Sequence, residues 1–183
     1  FNSDQLLKSI RAQVGPLYPR TTLVSIENTT NFGGGVAWPL DTLNGVLATA
    51  KEKKLKAHLD GSRIFNAATK LKVPLADLTK HFDSVTVCLS KGLGCPRGAV
   101  LAFDKEFFTD VRRLKQLFGG ALRQSGMVTA AALFALENHV ARLSEDHENA
   151  ALFAKGLGDL QNYLKLENNI INSYMKKTYR FLI

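Results

Sequence analysis

Only two of the 183 residues are cysteine, Cys88 and Cys95, and neither their spacing nor their neighbours form a metal-ligand pattern. A reduced thiol pair is expected there, and no metal. Long apolar runs are missing too. No window approaches the ~18 consecutive apolar residues of a membrane-spanning helix, and the polar first ten residues lack the make-up of a signal peptide. A cytoplasmic protein with no membrane partner is the expectation. Internal repeats and low-complexity segments are also absent, which leaves one globular domain with a real core, at 45% hydrophobic and 22% charged residues. Acidic residues are in short supply, 16 against 24 basic ones, for a formal net charge of +8. The densest basic run, Lys51-Glu52-Lys53-Lys54-Leu55-Lys56, falls where a helix is predicted to end, and cations there complement the helix dipole. It reads as a solvated face, so no nucleic-acid partner is expected. The chain opens on Phe1 rather than methionine and closes on Phe181-Leu182-Ile183, and is expected to be a fragment.

What is present is an alternation of strand-length apolar segments with helical periodicity, the mark of an α/β domain. Thr22 to Glu27 reads as a strand, followed by a polar, glycine-rich loop from Asn28 to Gly35. Pro39 opens a helix with Leu40, Leu43, Leu47 and Ala50 on one face. Leu55 to Leu59 is the second predicted strand, Ile64, Ala67, Ala68 and Leu71 share a helical stripe, and Pro74 begins a shorter helix. Val85, Val87 and Leu89 alternate as a third strand, and Gly98 to Phe103 makes a fourth. Phe107, Val111, Leu114 and Phe118 stripe a further helix that Gly119-Gly120 ends. Two long helices, from about Ser125 to Leu143 and from Glu145 to about Leu164, are read as core-facing.

In an open α/β sheet, ligands bind beyond the carboxyl ends of the parallel strands. The first strand runs into Glu27-Asn28, the second into Asp60-Gly61-Ser62-Arg63, and the third into Ser90-Lys91-Gly92. Taken singly, each residue has a plainer use. Asp60 could cap a helix, Arg63 could sit on the surface, Ser90 could serve a turn, and Lys91 could reach into solvent. Together they suit an anionic aromatic aldehyde such as pyridoxal phosphate. That group needs an amine for its aldehyde, a carboxylate to keep its ring nitrogen protonated, and donors for its phosphate. Lys91 is the amine, made nucleophilic by partial burial and a cationic neighbour, and Asp60 is the carboxylate. Arg63, about one helical turn past Asp60, offers a guanidinium able to hold a substrate carboxylate through two hydrogen bonds. The glycines after Lys91 are expected to turn the chain without crowding a bound ring.

These segments resemble the threonine aldolase family. The matching stretches are Ser25-Ile26-Glu27-Asn28-Thr29-Thr30-Asn31 with Gly33-Gly34-Gly35, His58 to Ala67, and Cys88 to Pro96. Gly119 to Gly126 and Arg142 to Ala150 look like the same family's later signatures, so the likeness covers roughly positions 17 to 155. The resemblance implies a three-layer α/β sandwich with a mostly parallel sheet, the large domain of fold-type I pyridoxal-phosphate enzymes, here incomplete. Residues 1–165 would be that partial cofactor-binding domain, and 166–183 a tail or the start of a small C-terminal domain. It further implies cleavage of threonine or allo-threonine to glycine and acetaldehyde, in a homodimer or homotetramer when full length. Lys91 would bind the cofactor's aldehyde and Asp60 its pyridine nitrogen. Arg63 would contact the substrate carboxylate and the ring oxygen, Ser90 the phosphate, Arg123 the phosphate or a subunit contact, and Asn28 the substrate.

The likeness departs at two histidines the family usually carries, since Thr30 and Leu17 stand in their places and leucine can relay no proton. Ser62 replaces a usual alanine, and Arg97 a usually small or apolar residue. By the resemblance, the phosphate-cradling glycine loop lies upstream of Phe1 and the small domain largely beyond Ile183. The 183-residue chain alone is therefore expected to show weak or no aldolase activity. Asp60 and Lys91 also suit another fold-type I lyase or an aminotransferase, and a non-catalytic partial copy is the third reading.

Overall fold

In the computed structural model, residues 1–11 and 15–164 are described. A four-stranded sheet has the order β1-β2-β3-β4, identical to the order in the chain. β1 (Leu23–Glu27), β2 (Lys56–Asp60) and β3 (Ser84–Cys88) run parallel, and β4 (Ala99–Phe103) runs against β3. The helices are α1 (Ser3–Ser9), α2 (Leu40–Glu52), α3 (Ile64–Leu71), α4 (Leu75–Thr79), α5 (Phe108–Leu117), α6 (Gly126–Asn138) and α7 (Leu143–Leu164).

Strand periodicity of two decides which residues enter the core. Val24 stands opposite Ala57, and Ile26, Leu59 and Val85 form the next row, so one face of the sheet is apolar across β1 to β3. That face joins Leu43, Val46, Leu47 and Ala50 of α2, Ile64 and Ala67 of α3, Leu78 of α4 and Leu6 of α1 in one buried cluster. The opposite face carries Ser25 and Glu27, then His58 and Asp60, then Ser84, Thr86 and Cys88, none of them fully buried. Two apolar residues, Leu89 and Leu93, leave the end of β3 to form a second cluster with Cys95, Ala132 and Ala135.

The predicted core stripes of the later helices need correction. α5 buries none of its residues, and the helix-ending Phe118 is 81% exposed. α6 buries only Ala132 and Ala135, while Leu133, Phe134 and Leu136 are exposed. A stripe becomes core only where another element covers it. Beyond β4 the sheet has no further strand among the described residues. The predicted 166–183 tail lies outside the described residues.

At the N-terminal edge of the sheet, Asp83 ties β3 to β2. Its Oδ1 accepts from Lys56 Nζ at 2.7 Å and its Oδ2 from the Ala57 N–H at 2.8 Å. Burial pushes the Asp83 carboxyl up, but the hydrogen bonds from Lys56 and Ala57 and the lysine's charge outweigh it and hold the pKa below its ordinary value. A depressed folded pKa contributes stability that is present above the unfolded value of about 3.9 and is lost as pH falls through the folded one. Asp83→Asn is therefore expected to cost about 1 kcal/mol at neutral pH, a modest figure because the pair is partly solvated. In urea melts the wild-type advantage should shrink as acid protonates the carboxylate. A difference constant across the acid range would refute the linkage.

Candidate functional site

The carboxyl ends of β1, β2 and β3 bring the predicted residues to one edge. Glu27 and Asp60 are register partners, and Asp60 in turn pairs with Thr86. The turn after Asp60 is held to β3 by the Gly61 N–H, which donates to the Thr86 carbonyl at 2.7 Å. A β-carbon at Gly61 would lie 2.8 Å from that same oxygen, so glycine is required there by close approach.

Asp60 does not cap the following helix, whose N-cap is Arg63. Its Oδ1 instead accepts from the Ser62 N–H at 3.0 Å and from the Ser62 hydroxyl. Ser62 thus fixes one carboxylate oxygen through both its backbone and its side chain. Asp60 Oδ2 takes no hydrogen bond among the described residues and is left for a donor from outside.

Arg63 turns back to the end of β1. Its Nη1 donates to the Thr29 carbonyl at 3.3 Å and lies 3.8 Å from Glu27 Oε1. Asn28 is fully buried between these groups. Its Oδ1 accepts the Trp38 N–H at 3.3 Å, while among the described residues its Nδ2 has no partner, nor has the neighbouring Thr29 hydroxyl. Buried polar groups are rarely left unpaired, so these two mark the β1 end as a place with hydrogen-bonding capacity to spare.

Ser90 and Lys91 follow β3, and both are exposed rather than half-buried. The Ser90 hydroxyl lies 3.4 Å from Cys88 Sγ, and the Lys91 carbonyl accepts from the Gly94 N–H at 2.8 Å. Arg123 sits on the exposed segment between α5 and α6, with no ion pair among the described residues. The strand ends therefore gather Asn28, Asp60, Arg63, Ser90 and Lys91, while Arg123 comes from a separate loop. A cleft of about 890 Å³ opens at the other edge, lined in part by Lys51, Lys54, Lys56 and Lys80, and contains none of these residues. Two of its lysines are engaged, Lys56 with Asp83 and Lys80 with Asp77.

Three residues outside the sequence-derived set hold the segment around Lys91. His139 Nδ1 donates to the Leu93 carbonyl at 2.7 Å, and Asn66 Nδ2 lies 3.2 Å from His147 Nε2. A β-carbon at Gly92 would meet Asn66 Oδ1 at 2.8 Å. Gly92 thus leaves room for Asn66, a different use from the clearance expected for a ring. The sequence signal was Asn66 itself, a polar residue directly before Ala67 on the buried side of α3.

An open α/β domain with an amine, a carboxylate and a guanidinium at its strand ends belongs to the class that binds small ligands beyond the sheet's carboxyl edge. Within that class the chain belongs to the beta-eliminating lyase family, whose model matches residues 1–178. It is 42% identical over 168 residues to the Arabidopsis thaliana protein named Probable low-specificity L-threonine aldolase 2, covering 89% of this chain and 47% of that one. It is 44% identical over 140 residues to the low specificity L-threonine aldolase of Escherichia coli O157:H7, covering 76% and 41%. The chain thus spans less than half the length of either relative, 47% and 41%. A crystal structure from Listeria monocytogenes, solved as a candidate L-allo-threonine aldolase, superposes with a TM-score of 0.73 at 26% identity, over 83% of this chain and 40% of that one.

Proposed function

We propose that the chain carries the lysine, ring carboxylate and substrate arginine of a pyridoxal-phosphate-dependent aldehyde-lyase that splits threonine or allo-threonine into glycine and acetaldehyde. The observation that carries the reading is the free Oδ2 of Asp60, on a carboxylate whose other oxygen is already fixed by Ser62. A carboxylate held in one orientation with one oxygen open suits a protonated ring nitrogen. The names of the Arabidopsis and Escherichia coli relatives supply the substrate class. When bound, the cofactor supplies an electron sink for the pair released as the Cα–Cβ bond of the substrate breaks.

The chain's own residues have separable tasks. Lys91 supplies the primary amine for the cofactor's aldehyde, and its exposure leaves it accessible to an incoming amino acid. Asp60 keeps the ring nitrogen protonated. Arg63 has one nitrogen engaged by Thr29 and Glu27, and its remaining N–H groups can take a substrate carboxylate. Asn28 fixes the Trp38 backbone N–H with its side-chain oxygen, and its contact with substrate belongs to the same proposal. Ser90 and Arg123 are the phosphate donors in this reading. The whole protein is a homo-oligomer in the same proposal.

Thr30 and the exposed Leu17 favour a second reading, in which the cofactor site persists without efficient cleavage. Addition of pyridoxal phosphate to the folded 183-residue chain, with an absorbance spectrum and then a glycine-release assay, tests both. A borohydride-fixable absorbance band with glycine release supports the lyase. The band alone supports the second reading, and no band sinks both.

A further inference from the structure

Gly92 follows Lys91 directly, and its need for glycine is steric. Gly94 and Gly98 nearby take φ of 70° and 116°, whereas Gly92 is not among the positive-φ residues. A methyl at Gly92 would press on Asn66 Oδ1 at 2.8 Å and on Leu143 Cδ2 at 3.1 Å. Asn66 is only 7% exposed, so its amide has little freedom to retreat. Its NH₂ group can only donate, so His147 Nε2, at 3.2 Å, must accept and the ring must carry its proton on Nδ1. Burial, followed by the positive charge of Lys70 on α3, lowers the His147 pKa, against the opposing charge of Asp146 on α7. The neutral ring that this contact needs is therefore the form present at neutral pH.

We propose that Asn66 is a positioning residue for Lys91: anchored by His147, its carbonyl oxygen abuts Gly92 and sets the direction in which the chain carries Lys91 away from β3. The proposal rests on the reading of Lys91 as the cofactor lysine. A proton gained at His147 Nε2 turns that nitrogen into a donor, and Asn66 must then turn its oxygen to the ring and its NH₂ group to Gly92. The flip replaces the acceptor oxygen that faces the β-carbon position of Gly92 with an NH₂ donor, so the group presented to the Gly92 backbone changes from acceptor to donor. The Lys91 backbone is thereby coupled to one histidine on α7. His147, with its folded pKa below the unfolded one, contributes this contact fully above about pH 6.5 and loses it as pH falls through the folded pKa.

The test uses the isotopically labelled full chain and needs no cofactor for its first arm. By NMR, the wild-type Gly92 amide is expected to shift with the same midpoint as the His147 ring, below about 6.5. In Asn66→Leu the ring still titrates and the Gly92 response disappears. In His147→Gln, whose side-chain oxygen accepts from Asn66 at every pH, Gly92 keeps its high-pH position throughout. The second arm is borohydride fixation of pyridoxal phosphate on Lys91, expected to slow at least about threefold in Asn66→Leu and to recover in His147→Gln. A wild-type Gly92 amide indifferent to His147 titration overturns the positioning claim, and this result needs no variant to fold. Equal fixation rates in wild type and a folded Asn66→Leu also overturn it. Absence of label on wild-type Lys91 sinks the cofactor-lysine reading, while the NMR arm still decides whether Asn66 couples Gly92 to His147.

Discussion

Lys91→Ala is expected to remove the borohydride-fixable absorbance band formed with pyridoxal phosphate and, wherever the protein releases glycine from threonine, to lower that rate by on the order of 10³-fold or more, the scale set by loss of a nucleophile and proton carrier. The change is a clean one because Lys91 is exposed and forms no ion pair among the described residues, so little folding energy is at stake. Circular dichroism should be unchanged. Mass mapping of the reduced adduct places the label on one lysine among many. A band of wild-type intensity in the variant would show that another lysine is the attachment point.

Leu59→Ala has the largest expected effect on stability. Leu59 has 0% exposure and lies on β2, with Ile26 opposite it on β1 and Val85 on β3. Truncation at the centre of the sheet removes buried surface on both sides, and the neighbouring strands are held by their hydrogen-bond ladders and cannot collapse inward. The expected cost is about 2–5 kcal/mol, a large share of the roughly 5–15 kcal/mol that holds a domain folded. With a urea slope of about 2 kcal/mol per M, the midpoint falls by about 1–2.5 M. A loss under about 1 kcal/mol would mean that the site repacks or that the strand is not central.

The strand ends were legible in the sequence because strand alternation and the glycine turns are local signals. Asn28, Asp60, Arg63 and Lys91 each stand within a few residues of a strand terminus, so locating the strands located them. The reversed direction of β4 also has a local cause. The short connection from Leu89 to Gly98 closes with the Leu89 N–H on the Gly98 carbonyl at 3.0 Å, whereas a parallel return needs a crossover of a dozen or more residues.

What escaped was tertiary. His147 meets Asn66 across 81 positions and His139 meets Leu93 across 46, and neither partner carries a sequence mark that names the other. The stripe from Phe107 to Phe118 shows the same limit from the other side. Periodicity reveals that a helix has an apolar face but not what covers it, and α5 lies open among the described residues. Asp60 was read correctly as a sheet-edge carboxylate, while its grip on Ser62 depended on backbone geometry that spacing does not encode.

Spatial strand order in this sheet repeats the order of synthesis, β1-β2-β3-β4. A chain emerging from the ribosome N-terminus first therefore finds each strand's partner already made, and no later segment of the described sheet has to wedge between two finished strands. Each closure spans one helical connection or one short loop, so the entropy lost at each step stays small. Lys91 is made at the last of these junctions. Its surroundings take shape only after β2, the strand that ends in Asp60, has its neighbour.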